Sequence, residues 1–90
     1  MIQVKRVVLD ILKPHNPNAL EFSGKIAALG EDYRVKLTVL EMDEKTQTLK
    51  VVVEADHIDF DGLQEVISAL GASLHSIDEV EVVNIADVTH

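Results

Sequence analysis

Cysteine is absent from the 90-residue sequence, which excludes disulfides, thiolate metal sites, iron–sulfur clusters and cysteine nucleophiles together. Aromatic residues make up only 3% of the chain, so a core has to be assembled from Val, Ile, Leu and Ala. Basic residues are also few: 8 Lys and Arg stand against 16 Asp and Glu, a formal net charge of −8. Nucleic acids are polyanions held by clustered Lys and Arg. Here Lys5, Arg6, Lys13, Lys25, Arg34, Lys36, Lys45 and Lys50 are scattered along the sequence, which argues against a nucleic-acid partner. No apolar run approaches the roughly 20 residues that a membrane-spanning helix needs. Charges at Lys5, Arg6 and Asp10 interrupt the stretch from Met1 to Leu12, unlike a signal peptide. No membrane partner and a cytoplasmic location are the expectations. The four glycines sit singly, so no Gly-rich phosphate loop exists.

What remains is a hydrophobic fraction of 47%. A chain this short supports one core, so residues 1–90 are expected to form a single domain. A small aliphatic core is marginal, and self-association is one common remedy. The acidic excess favours cations or basic partners over anionic ones.

Val4 to Leu12 is dense in β-branched residues and predicts a strand, with Val7, Leu9 and Ile11 on one face and Arg6, Val8 and Asp10 on the other. Lys13-Pro14-His15-Asn16-Pro17 breaks it, because proline removes a ladder donor. Asn16 and Pro17 suit a helix N-cap and first helical position. Ala19, Phe22, Ile26 and Leu29 recur at helical spacing, and Gly30 fits a left-handed terminus. Tyr33 to Met42 predicts a second strand, with Tyr33, Val35, Leu37 and Val39 on one face. Asp43 to Thr48 suits a hairpin loop. Leu49 to Ala55 predicts a third strand, with Leu49, Val51, Val53 and Ala55 inward. Asp59 caps a second helix, with Ile58 and Leu63 placed as a hydrophobic staple. Phe60, Leu63, Ile67 and Leu70 form its buried stripe, and Gly71 ends it. A last strand lies within Leu74 to Ile85. There Ile77 suits one phase of the alternation and Val80 and Val82 the other, which a bulge near Asp78-Glu79 reconciles.

Each half is strand, helix, strand, and Ala28-Leu29-Gly30 matches Ala69-Leu70-Gly71. Right-handed crossovers then favour an α+β, ferredoxin-like βαββαβ sandwich: a four-stranded antiparallel sheet of order 4-1-3-2 with two helices on one face. The other face carries Val8, Val52, Leu40, Met42 and Val83 among charges, a mixture that suits a subunit interface. Strands 1 and 3 are expected to end at one edge of this sheet, where strands 2 and 4 begin. That would gather His15, Asp56, His57, Asp59, His75 and Asp78, with Asp10 close to Asp78 and Glu54 nearby.

Carboxylates at close range repel, and a divalent cation relieves that repulsion. Hard cations such as calcium or magnesium take oxygen ligands, whereas imidazoles favour zinc or nickel. Asp10, Glu54, Asp56 and Asp78 are therefore the candidate metal oxygens, with His15 and His75 as ligands or supporting donors. The plainer reading keeps Asp59 as a cap, Asp61 as a partner of the helix dipole and the histidines as turn residues. His57-Ile58-Asp59-Phe60-Asp61-Gly62 resembles part of a calcium loop, but an EF-hand needs an acidic first ligand and a glutamate at its twelfth position. Those places hold His57 and Ser68. Ser73, His75, Ser76 and Asp78 make no triad, because a strand points neighbours to opposite faces.

The stretch Val8-Leu9-Asp10-Ile11-Leu12-Lys13-Pro14-His15, taken with Leu74-His75-Ser76-Ile77-Asp78-Glu79-Val80, resembles the archaeal family called domain of unknown function 211. Glu54-Ala55-Asp56 and Asp59-Phe60 share in the likeness, which covers nearly the whole chain. It implies a ferredoxin-like fold and a ring-like homo-oligomer, and no established enzyme activity. The expected function is thus an oligomeric binding or assembly protein holding a divalent cation, calcium foremost. The alternative is a small-molecule-sensing regulatory module like ACT domains, with its ligand near the first helix and the loop before it. An enzyme using His15 or His75 as acid or base is chemically able, but no nucleophile or cofactor motif accompanies them.

Overall fold

The computed structural model describes residues 1–86. Six elements follow one another: β1 (Ile2–Pro14), α1 (Ala19–Ala27), β2 (Arg34–Met42), β3 (Thr46–Glu54), α2 (Phe60–Ala69) and β4 (Ser73–Asn84). The strands form one sheet in the order β2-β3-β1-β4, every neighbouring pair antiparallel. This is the expected βαββαβ, ferredoxin-like arrangement. Val7, Leu9 and Ile11 of β1, Leu49, Val51 and Val53 of β3, Phe22 and Ile26 of α1 and Leu63 and Ile67 of α2 all enter one buried cluster. Both helices therefore cover the same face. The period-2 alternation of β1 and β3 and the period-3.6 stripes of the helices converge there. No helix among the described residues is long and apolar enough to cross a membrane.

The helices are short and the strands long. Helices of 9 and 10 residues reach about 15 Å, while the 13 residues of β1 reach about 43 Å. The molecule measures 58 × 22 × 18 Å. The helices cover the two central strands, and of β4 only Leu74 packs against the core. Ile77, Val80 and Val82 share the helix-side face, since they pair with Leu9, Val7 and Val4. They nevertheless remain 49%, 56% and 50% exposed. The slip in the alternation of β4 is a bulge: Val8 pairs with Glu79 and Leu9 with Ile77, leaving Asp78 unpaired.

Several local expectations are corrected. Asn18, not Asn16, caps α1, its Oδ1 accepting the Glu21 N–H at 2.8 Å. The preceding loop cannot join the helix because the Lys13 ammonium holds it. Lys13 is fully buried, and its Nζ donates to the Pro14 carbonyl at 2.8 Å and to the carbonyls of His15 and Pro17. Gly30 is not left-handed; among the described residues only Gly71 has a positive φ, at 80°. Gly30 is needed for close approach, since a Cβ there would lie 2.7 Å from the Tyr33 ring. The hairpin loop is shorter than expected, because Asp43 accepts the N–H groups of Lys45 and Thr46 and β3 begins at Thr46. A bulge at Leu40, between the pairs Val39↔Leu49 and Glu41↔Thr48, moves Met42 to the helix side instead of the open face.

The Lys13 ammonium satisfies three carbonyls that would otherwise lose their partner. Lys13→Met keeps the apolar stem and removes the charge. Urea denaturation of this variant should show a loss of about 1–3 kcal/mol. An unchanged midpoint would refute the anchoring role.

Candidate functional site

The face of the sheet opposite the helices is built in rows by the strand registers. Across β4, β1, β3 and β2, the first row reads Glu81, Arg6, Glu54, Arg34. The second reads Glu79, Val8, Val52, Lys36, and the third Ser76, Asp10, Lys50, Thr38. Val8 and Val52 are only 5% and 8% exposed although no helix covers them, because long charged side chains lie around them. Arg6 joins the columns: its Nη1 lies 3.3 Å from Glu79 and its Nε 4.0 Å from Glu54. The β4 column is thus acidic and the β2 column basic.

One concavity at the first row is lined by Lys5, Arg6 and Arg34 with Asp32, Glu54, Asp56 and Glu81, and two more open further along this face. One, of about 320 Å³, is lined by Arg6, Arg34, Lys36, Lys50 and Glu54 with Thr38 and Val52. The other, of about 400 Å³, is lined by Asp10, Asp78, Glu79 and Lys50 with Val8 and Leu40. Asp78 also accepts the Ser76 hydroxyl at 2.7 Å.

The six candidate metal ligands do not come together. β1 and β3 are antiparallel, so the end of β1 meets the start of β3: Pro14 pairs with Thr46 and Arg6 with Glu54. His15 therefore stands at the opposite end of the sheet from Asp56, His57 and Asp59, and the expected common edge does not exist. Asp10 and Asp78 do share a concavity. Glu54 is directed to Arg6 instead. Asp56 lies 4.0 Å from the Lys5 ammonium, and its N–H donates to Asp32 at 2.7 Å. His75 is exposed and falls in a shift of the β1–β4 register. His15 donates its Nε2–H to the Asp43 carbonyl at 2.8 Å, which ties the loop after β1 to the β2–β3 hairpin. Among the described residues no three His, Asp or Glu side chains are grouped as a metal site would need.

Sequence reasoning missed the basic concavity. Arg34 and Lys36 stand two apart on one strand, which is a visible signal, but Arg6 and Lys50 join them only through register. It also missed Tyr33, whose Oη accepts the Asp59 N–H at 2.8 Å and so steadies the start of α2.

Comparison with known proteins agrees with the family resemblance of the sequence. The model of the family DUF211, described as uncharacterized ArCR, matches residues 5–87. Uncharacterized protein MJ0319 of Methanocaldococcus jannaschii is 46% identical over 77 residues, covering 86% of this chain and 79% of that protein.

The Asp43 carboxyl ties together the hairpin that receives His15. The N–H groups of Thr46 and Lys45 and the Thr46 hydroxyl hold the Asp43 carboxyl below its ordinary 3.8. A carboxylate depressed in the folded state adds stability above its unfolded pKa and loses it as pH falls through the folded value. The stability difference between wild type and Asp43→Asn should be widest above pH 3.8 and shrink on further acidification. Denaturation midpoints taken across the acid range check this, and a pH-independent difference would refute it.

Proposed function

The chain belongs to the DUF211 family of uncharacterised archaeal proteins, and from that premise we propose that it is a self-associating binding or assembly protein whose copies join edge to edge. The observation that carries this reading is the matched character of the two bare edges. β4 offers Glu79 and Glu81 on the open side and Ile77, Val80 and Val82 on the helix side. β2 offers Arg34 and Lys36 on the open side and exposed Val39 and Met42 on the helix side. β2 and β4 run in opposite directions, so β2 of one copy can continue the sheet beyond β4 of the next as an antiparallel neighbour. Acid then meets base on one face and aliphatic meets aliphatic on the other. Unpaired strand edges invite such pairing. The contact is head-to-tail, and head-to-tail contacts that close make rings.

A divalent cation is the second reading, supported by the three carboxylates Asp10, Asp78 and Glu79 around one concavity. The Lys50 ammonium lines the same concavity, so a cation there needs further oxygens from a neighbouring copy. Calcium suits such an all-oxygen set.

Native mass spectrometry and light scattering test both readings. Wild type should be oligomeric. Arg34→Glu with Lys36→Glu should dissociate it, as should Glu79→Lys with Glu81→Lys. All four changes in one chain should restore association, because every contact then carries the reversed charges. A wild type that stays monomeric at every concentration removes the assembly reading. For the cation, mass or thermal stability should change between calcium and chelator, and Asp10→Asn with Asp78→Asn should abolish that difference. Identical behaviour in calcium and chelator sinks it.

A further inference from the structure

In a chain of net charge −8, four of the eight basic side chains stand around one concavity. Arg6, Arg34, Lys36 and Lys50 come from three different strands. Glu54 is the single carboxylate that lines it with them. Arg6 is engaged by Glu54 and Glu79, whereas Arg34, Lys36 and Lys50 form no ion pair among the described residues. Carboxylates stand nearby, on the far side of Lys50 and of Arg34, yet around this concavity four positive side chains meet one carboxylate. A concavity with an excess of one sign of charge concentrates ions of the other sign.

From this juxtaposition we infer that the open face holds an anion site, formed by Arg34, Lys36 and Lys50 with Arg6 as its anchored wall. Its dimensions and lining select the ligand class. About 320 Å³ falls at the small end of the range of ligand pockets, roughly 300–1,000 Å³. The apolar side chain in its lining is Val52, since Val35 packs against the core, and there is no aromatic ring on which a base could stack. The matching ligand is therefore compact and multiply charged, with two or more phosphate or carboxylate groups. The Arg34 guanidinium can grip one group in its planar fork, while Lys36 and Lys50 act as point charges on another. Thr38 supplies a hydroxyl donor. Glu54 fixes Arg6 from the other side of the ladder and rejects ligands too large to stay clear of it.

Lys50 separates this inference from edge association. It lies on β3, inside the sheet, so changing it leaves both edges as they are. The test is calorimetric titration of pyrophosphate and of citrate into the full chain at low ionic strength, with particle mass measured on the same samples. Pyrophosphate or citrate should bind. Lys36→Gln and Lys50→Gln should each weaken binding about tenfold, the worth of one charge-assisted contact, and Lys50→Gln, which lies off both edges, should do so without changing the thermal midpoint. Tighter binding of pyrophosphate assigns the site to phosphate groups, and tighter binding of citrate to carboxylates. Binding that is lost in Lys50→Gln while the mass stays at the wild-type value supports the site whatever that mass is. Two results overturn it: no binding of either anion, or affinities that Lys36→Gln and Lys50→Gln leave unchanged. If, in the second case, Lys36→Gln alters the particle mass, the basic column serves only the glutamates of a neighbouring copy.

Discussion

β1 is hydrogen-bonded along both of its edges, to β3 over nine residue pairs and to β4 over ten. Every other feature depends on those two ladders. They place Val7, Leu9 and Ile11 on the helix side, where they complete the core. They also place Arg6, Val8 and Asp10 on the open side, where each becomes the centre of a row of side chains drawn from all four strands. A register slip of one residue would exchange the two faces, burying charges and exposing the core. The bulges are part of the same constraint. At Asp78 the extra residue lets Ile77 and Val80 share a face although they are three residues apart.

The edges follow from a mismatch of lengths. A helix advances less than half as far per residue as a strand. Two short helices therefore cover the middle of the sheet, with Val35 and Leu37 of β2 packed against the core, and leave most of β4 and the end of β2 bare. On β4 this exposes an aliphatic row that the core does not use. A core poor in aromatic residues gains little margin from its interior alone, and apolar surface left on a strand edge is free to be covered by another copy. The charges on the opposite side of the same edges give such a contact direction, because acidic β4 and basic β2 attract each other but not themselves.

The electrostatics of the open face are local and run against the average. The whole chain is acidic, yet one concavity is basic and its neighbour is acidic, with Lys50 on the boundary of both. Membership of an uncharacterised family gives no reaction to attach to this arrangement. The proposed readings draw on three of its features: oriented charges, a pair of shielded valines and two unpaired edges. The described histidines take no part in it. His15 is spent on the Asp43 carbonyl, and its contribution is to brace the hairpin beside the loop that Lys13 holds.

The elements themselves were legible in the sequence. Alternation marked β1 and β3, helical spacing marked Phe22 with Ile26 and Leu63 with Ile67, and Asp59 announced its helix. The phase slip between Ile77 and Val80 even located the bulge at Asp78. These signals are local, because side-chain direction along a strand or helix repeats within a few residues. Lys13 was not legible, since a lysine after an alternating run looks solvated, and only the folded loop turns three carbonyls toward it. Nor was the Leu40 bulge, which sits in an otherwise regular alternation. The candidate site was the least legible part. Strand order was read correctly, but the gathering of His15 with Asp56 at one edge failed because the hydrogen-bond direction between β1 and β3 sends them to opposite ends. The sequence by itself determined the elements and the inward faces of β1, β3 and the two helices, because side-chain direction within an element repeats every few residues. Which charged residues become neighbours was decided only by the tertiary structure, because Arg6, Arg34, Lys36 and Lys50 meet through registers between distant strands that no short-range pattern encodes.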